Sequence, residues 1–158
     1  LVNLSLTDLN VYSASPDDAQ MLADIRVESM RPSLEALNRF DPARARDRFL
    51  STFEESDTFI LSLGGEVAGF YVLRTYPEYF YLDHFYIKNQ FQGKGIGSIV
   101  MKGLKAQASA SAKPIWLIAL KESPANTFYL SQGFVFEREE GVDRHYFWGK
   151  KSRSGWFV

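Results

Sequence analysis

A chain of 158 residues, 46% hydrophobic and 23% charged, is long enough to bury one core and shorter than two independent domains usually need. The lack of cysteine excludes disulfides, thiolate nucleophiles and zinc ribbons, and it is compatible with a reducing interior such as the cytosol. No apolar run approaches the roughly 20 residues that span a bilayer, and Leu1-Val2-Asn3-Leu4 lacks the basic start of a signal peptide, so a cytoplasmic location is expected. The missing initiator Met points to a trimmed or truncated start. Phe, Tyr and Trp make up 15% of the chain, which implies a core or pocket built largely from rings.

In chain order, Leu4, Leu6, Leu9, Val11 and Tyr12 alternate loosely as a first strand. Ser15-Pro16-Asp17-Asp18 has the form of a helix N-cap with Pro at the first helical position, and Met21, Leu22, Ile25 and Met30 give helical spacing. The expected helix runs from about Asp17 to Met30 and is ended by Pro32. A second helical region, interrupted at Asp41-Pro42, offers Phe40, Phe49, Leu50 and Phe53 for burial and presents Arg44, Arg46 and Arg48 as a solvated face. Thr58 to Leu63 and Val67 to Thr75 read as strands joined by a Gly64-Gly65 hairpin turn. After Tyr76-Pro77-Glu78 comes another strand, Tyr79 to Ile87, in which Leu82, Phe85 and Ile87 skip one beat of a period of two. An extra residue near Asp83 or His84 would produce that skip as a β-bulge.

Gly97 to about Ala112 is expected as a helix with Ile96, Val100, Leu104 and Ala108 on one stripe. Ile115 to Leu120 is an apolar run suited to a central strand. A short helix from Ser123 to Gln132 is opened by Ser123-Pro124 and closed by Gly133. Phe134 to Glu140 and Val142 to Trp148 form a last hairpin about Gly141. The organisation expected is one domain over residues 1–149 and a tail over 150–158 that starts basic and ends Trp156-Phe157-Val158.

Charge divides this chain more sharply than its total of −1 implies. Residues 1–83 carry seven Arg against fourteen carboxylates. From His84 to Lys121 there is no Asp or Glu, and Lys88, Lys94, Lys102, Lys105, Lys113 and Lys121 give +6. Inside that cationic stretch lies Gln92-Gly93-Lys94-Gly95-Ile96-Gly97, between an apolar strand and a helix. A Gly-rich turn there aims several backbone N–H groups and the positive end of a helix dipole at one anion. Spacing excludes two nucleotide loops: no Gly precedes a Gly-Lys-Ser/Thr by four residues, and a dinucleotide fingerprint would need glycine where Ser98 stands.

What remains, Gln-x-x-Gly-x-Gly, resembles the acyl-coenzyme A loop of the GCN5-related N-acetyltransferases (GNAT). Tyr129-Leu130-Ser131-Gln132-Gly133-Phe134 is similar to their second signature, Tyr-x-x-x-Gly-Phe. The resemblance extends over nearly the whole chain, and Tyr81 to Ile87 with the loop after it looks closest to diamine and polyamine acetyltransferases. It implies an α/β (α+β) GNAT fold: a mixed, mostly antiparallel central sheet of six or seven strands, helices on both faces, and a bulged strand that splays from Ile115 to Leu120. It implies acetyl-coenzyme A as cofactor, with the pantetheine arm against Phe85, Tyr86 and Ile87. The pyrophosphate would lie on Gln92, Gly93, Lys94, Gly95, Ile96, Gly97 and Ser98, with Lys88 nearby. Many relatives have Pro at Asn89, Arg at Gln92 and Asn at Glu122; Asn126 is offset and cannot take over that last role.

The resemblance also implies acetylation of a primary amine, small or peptide-borne, by direct attack. Tyr129 stands where the family has its acid toward the leaving sulfur. Asp83 stands where polyamine-acetylating relatives have a proposed base, and His84, whose unperturbed pKa is about 6.5, lies beside it. No metal site, nucleic-acid partner or membrane partner is expected, and a homodimer remains open. The acidic N-terminal half favours a cationic acceptor. The competing reading is a non-catalytic acyl-coenzyme A sensor.

Overall fold

The computed structural model describes residues 6–150, so Leu4 of the expected first strand and the tail from residue 151 lie outside the described residues. Among the described residues, seven strands form one sheet in the order β1-β2-β3-β4-β5-β7-β6, with four α-helices between them. The strands are β1 (Leu9–Ser13), β2 (Thr58–Leu63), β3 (Glu66–Thr75), β4 (Phe80–Ile87), β5 (Ile115–Leu120), β6 (Val135–Glu140) and β7 (Asp143–Trp148). The helices are α1 (Ala19–Ala36), α2 (Pro42–Leu50), α3 (Ile96–Ala110) and α4 (Ala125–Ser131). The chain divides into two compact units. One comprises the described residues up to Val72 with His84–Ile96; the other comprises Leu73–Asp83 with the described residues from Gly97. Both β3 and β4 contribute residues to each.

In the first unit, β1 and β3 flank β2 antiparallel. Strand β1 begins later than its alternation implied, because Leu6–Asp8 form a 3₁₀ turn. Pro16–Asp18 form another, with Asp18 Oδ2 accepting the Ser15 N–H at 2.8 Å, so α1 starts at Ala19. Helix α1 then continues through Pro32 to Ala36 instead of ending there. Proline removes one N–H donor but falls on an exposed position, while buried Ser33 and the Arg31–Glu35 ion pair hold the last turn. The actual stop is Asn38, at φ +56, where Arg39 N–H bonds Leu34 O at 2.8 Å. Asp41 caps α2 by accepting the Arg44 N–H at 3.2 Å, with Pro42 in the first turn. Leu22, Ala23 and Ile25 of α1 and Phe49 of α2 pack on Ile60, Phe70 and Val72. Arg44 and Arg48 face solvent as expected, and Arg46 pairs with Asp24. Gly64 and Gly65, at φ +61 and +83, make the mirror-image hairpin turn between β2 and β3.

In the second unit, β4 pairs parallel with β5 over Phe80–Leu82 and Ile115–Leu117, and β7 pairs antiparallel with both β5 and β6. Ile96, Val100, Leu104 and Ala108 are buried as the stripe predicted, with Met101 beside them. Helix α3 ends at Ala110, two residues early, because Ala112 takes φ +53 and Lys113 N–H bonds Ala108 O at 3.0 Å. Backbone bonds reveal the extra residue in β4. Tyr76 N–H bonds Tyr79 O where the β3–β4 hairpin closes, and Lys88 N–H bonds Ala68 O at its far end. Ala68 to Tyr76 is eight steps and Tyr79 to Lys88 is nine, so β4 carries one residue more than its partner. The skipped apolar beat is itself occupied by His84, which is 5% exposed.

Candidate active site

The Gly-rich loop is shaped by backbone conformation more than by packing. A 3₁₀ turn, Asn89–Phe91, follows β4 and is anchored by buried Phe91. Gly93 and Gly95 then take φ +77 and +84, and α3 begins at Ile96. A Cβ on Gly93 would meet nothing within 4 Å, so the left-handed turn alone demands glycine there. Gln92 braces the turn: its side-chain Nε2 donates to the Ile87 carbonyl at 2.9 Å. The carbonyl that the resemblance offers to pantetheine is thus engaged by the loop's own first residue. Residues 92–95 are exposed and Lys88 is half-buried; Lys88, Asn89 and Gln90 line a cleft with Ile25, Glu28 and Ser29 of α1. The first N–H groups of α3 have no partner within the helix. Two left-handed glycines, a helix start and the charge of Lys94 suit a phosphate-bearing ligand.

Ser98 lies in the second unit, where its Oγ accepts from Gln132 Nε2 at 3.1 Å, and Lys105 donates to the Gln132 carbonyl at 3.0 Å. Gln132, missed in the sequence, therefore ties the end of α4 to the first turn of α3. Tyr129 is buried, with its ring 5.6 Å from Phe134 and 6.4 Å from Tyr146. Gly133 at φ +87 stops α4, and Phe134 N–H bonds the Tyr129 carbonyl at 3.0 Å. The Tyr-x-x-x-Gly-Phe signature is thus a helix stop with its own hydrophobic contact as well as a carrier of a phenol. Glu122 is exposed, while Asn126 is structural: it donates to the Leu120 and Ser123 carbonyls and accepts from Tyr146.

The adjacent pair Asp83 and His84 have different partners. Arg74 Nε and Nη2 both donate to Asp83 Oδ2, at 3.3 and 3.2 Å, and the two side chains are only 14% and 22% exposed. His84 packs edge-on against Phe49, and its Nδ1 lies 2.9 Å from the Tyr86 hydroxyl. Tyr86 in turn accepts from Arg26 Nε at 3.2 Å, and Arg26 Nη1 donates to the Ala45 carbonyl at 2.6 Å. The Tyr86 side chain therefore belongs to the α1–α2 side of the first unit. Its carbonyl points at β3, where a Cβ on Gly69 would lie 2.0 Å from it. The Phe85 ring meets Tyr71 edge-on at 6.4 Å, and burial pushes the Tyr71 phenol pKa up. Arg26 and Arg74 were not singled out in the sequence. Arg26 follows Leu22 by four residues, so an arginine on the apolar stripe of α1 was the available signal.

Comparison with known proteins agrees with this arrangement. A family model described as an acetyltransferase (GNAT) domain matches residues 24–148. No curated protein sequence matches. Among solved structures, the PaiA N-acetyltransferase of Thermoplasma acidophilum in complex with coenzyme A aligns with a TM-score of 0.70 at 15% identity, over 90% of this chain and 99% of that one. An acetyltransferase of Thermus thermophilus aligns at 0.69 with 23% identity, over 88% and 95% of the two chains. Ard1 of Thermoplasma volcanium aligns at 0.63 with 19% identity, over 89% and 96%. With a family match over most of its length and a loop suited to phosphates, the chain belongs to the GNAT family of acyl-coenzyme A-dependent acetyltransferases.

Proposed function

We propose that this enzyme transfers the acetyl group of acetyl-coenzyme A directly to a primary amine, either a small amine such as a polyamine or an amine of a peptide. The observation that carries this reading is the loop before α3: Gly93 and Gly95 at positive φ, in a stretch without a single carboxylate from His84 to Lys121. Backbone N–H groups from Gly93 to Ser98 hold the pyrophosphate, Gln92 braces the loop, and Lys94 and Lys88 add charge. The pantetheine arm runs along β4 from Phe85 through Tyr86 to Ile87, whose carbonyl Gln92 already engages from the loop side. When bound, acetyl-coenzyme A supplies an activated thioester. Tyr129 Oη holds the proton that the leaving sulfur needs. Asp83 takes the proton that the amine must lose, since an amine of pKa about 10.4 is mostly ammonium at neutral pH. Residues 1–149 are read as one catalytic domain, in keeping with the single family match over residues 24–148.

The seven-unit excess of negative charge over residues 1–83 favours a cationic acceptor. Release of free thiol from acetyl-coenzyme A, measured across diamines, polyamines, amino acids and peptide N-termini, tests the proposal. Fastest release with a polycationic acceptor is expected. Preference for acidic acceptors would remove the charge argument, and no amine-dependent release would remove the amine.

A further inference from the structure

We propose that Gln132, held by Lys105, is a positioning residue that leaves the Ser98 hydroxyl as a side-chain donor for a phosphate oxygen at the start of α3. The inference rests on reading the loop before α3 as the coenzyme A site, and it deepens that reading. Ser98 and Lys105 stand seven residues apart on α3, close to two full turns, so both lie on one face of the helix about 10 Å apart. Gln132, the residue that ends α4, touches both. Lys105 Nζ lies 3.0 Å from the Gln132 carbonyl oxygen and 3.5 Å from its side-chain Oε1, and Gln132 Nε2 lies 3.1 Å from Ser98 Oγ. The Trp148 ring flanks the ammonium, with its centroid 5.9 Å from Nζ.

Donor and acceptor chemistry sets the direction of each bond. A lysine ammonium only donates, so the amide atom facing it is the oxygen, and the amide nitrogen is the atom that faces Ser98. An amide nitrogen also only donates, so Ser98 Oγ accepts and keeps its own hydrogen. A serine inside a helix often gives that hydrogen to a carbonyl of the preceding turn. Here Gln132 is the only partner of the Ser98 side chain among the described residues, and Ser98 is exposed. Ser98 also carries one of the four N–H groups with which a helix begins and which find no acceptor inside it. A phosphate oxygen received by those N–H groups comes within reach of the hydroxyl on the same residue, and a hydrogen bond to an anion is stronger than one to a neutral acceptor.

Coenzyme A binding to the full chain, measured by calorimetry, tests the relay. Ser98→Ala should weaken binding about tenfold, the worth of one hydrogen bond to a charged group, while Ser98→Thr keeps the hydroxyl and should stay within about threefold of the parent. Gln132→Met fills similar space without an amide and should weaken binding by about threefold or more. Combined with Ser98→Ala, it should add less than about twofold to the loss of Ser98→Ala alone, because Gln132 acts through that hydroxyl. Losses that multiply in the double variant would make Gln132 a packing residue, and coenzyme A binding in Ser98→Ala equal to that of the parent would remove the hydroxyl from the site. Either result overturns the proposal while the loop keeps its ligand. A parent protein that binds no coenzyme A overturns the reading of the loop and this proposal with it.

Discussion

Gly69→Ala is the sharpest test of the packing argument. A Cβ at this position would sit 2.0 Å from the Tyr86 carbonyl oxygen and 3.0 Å from both Ile87 Cα and the Tyr86 carbonyl carbon. All three obstacles are backbone, so no rotamer change relieves them, and β4 must withdraw by about 1 Å to restore ordinary contact. Overpacking of this kind costs typically about 1–3 kcal/mol. For a chain of this size each kcal/mol lowers Tm by about 2–4 °C, so the substitution should lower Tm by about 2–12 °C. Gly103→Ala is the companion: it lies exposed on α3 with nothing within 4 Å of its Cβ, and alanine should stabilise the helix by about 0.5–1 kcal/mol. Thermal unfolding followed by circular dichroism reads both, and the KM for acetyl-coenzyme A should rise only in Gly69→Ala. A Gly69→Ala protein that melts with the parent and keeps its KM would refute the reasoning.

Three further outcomes follow from other sites. Gly93→Ala has open space around its Cβ but must hold φ +77, at a cost of about 1–2 kcal/mol. Coenzyme A affinity measured by calorimetry should fall, and unchanged affinity would dissociate the loop from the ligand. Tyr129→Phe keeps the ring packing against Phe134 and Tyr146, so turnover should fall more than coenzyme affinity; unchanged turnover removes Tyr129 from proton transfer. Burial, reinforced by Arg138 and opposed by Glu140, Asp143 and Glu137, holds the His145 pKa below its ordinary value. The unfolded chain takes this proton near pH 6.5 and the folded chain only at lower pH, so stability falls as pH drops through about 6.5. His145→Gln should lose less stability than the parent between about pH 7.5 and 5.5; equal losses would show that His145 does not contribute.

Local signals were legible where one residue decides. Gly64-Gly65 and Gly133 marked turns and ends because only a residue without a Cβ readily takes their positive φ, and Asp41-Pro42 because the aspartate caps and the proline fixes φ. Pro32 misled because a proline penalty of about 3 kcal/mol is outweighed by the packing of α1, including buried Ser33, which sequence does not show. Ala112 misled because alanine gives no warning of a left-handed stop. The extra residue in β4 could be anticipated from a skipped beat, but the beat also belongs to a buried histidine. The glycine-rich turn before α3 was readable because glycine spacing and charge are sequence properties. Its brace, from Gln92 to the Ile87 carbonyl, and the partners of Asp83 and His84 were not, since Arg74 and Arg26 reach them through strand pairing and helix packing.

The central claim is acetyl transfer to an amine with the cofactor held by the loop at residues 92–98. Its most direct measurement is thiol release from acetyl-coenzyme A with and without an amine panel, in the parent and in Gly93→Ala. The account predicts amine-dependent release that saturates with acetyl-coenzyme A, and a higher KM for acetyl-coenzyme A in the variant. Thiol release that no amine accelerates, or a KM indifferent to Gly93, would contradict it.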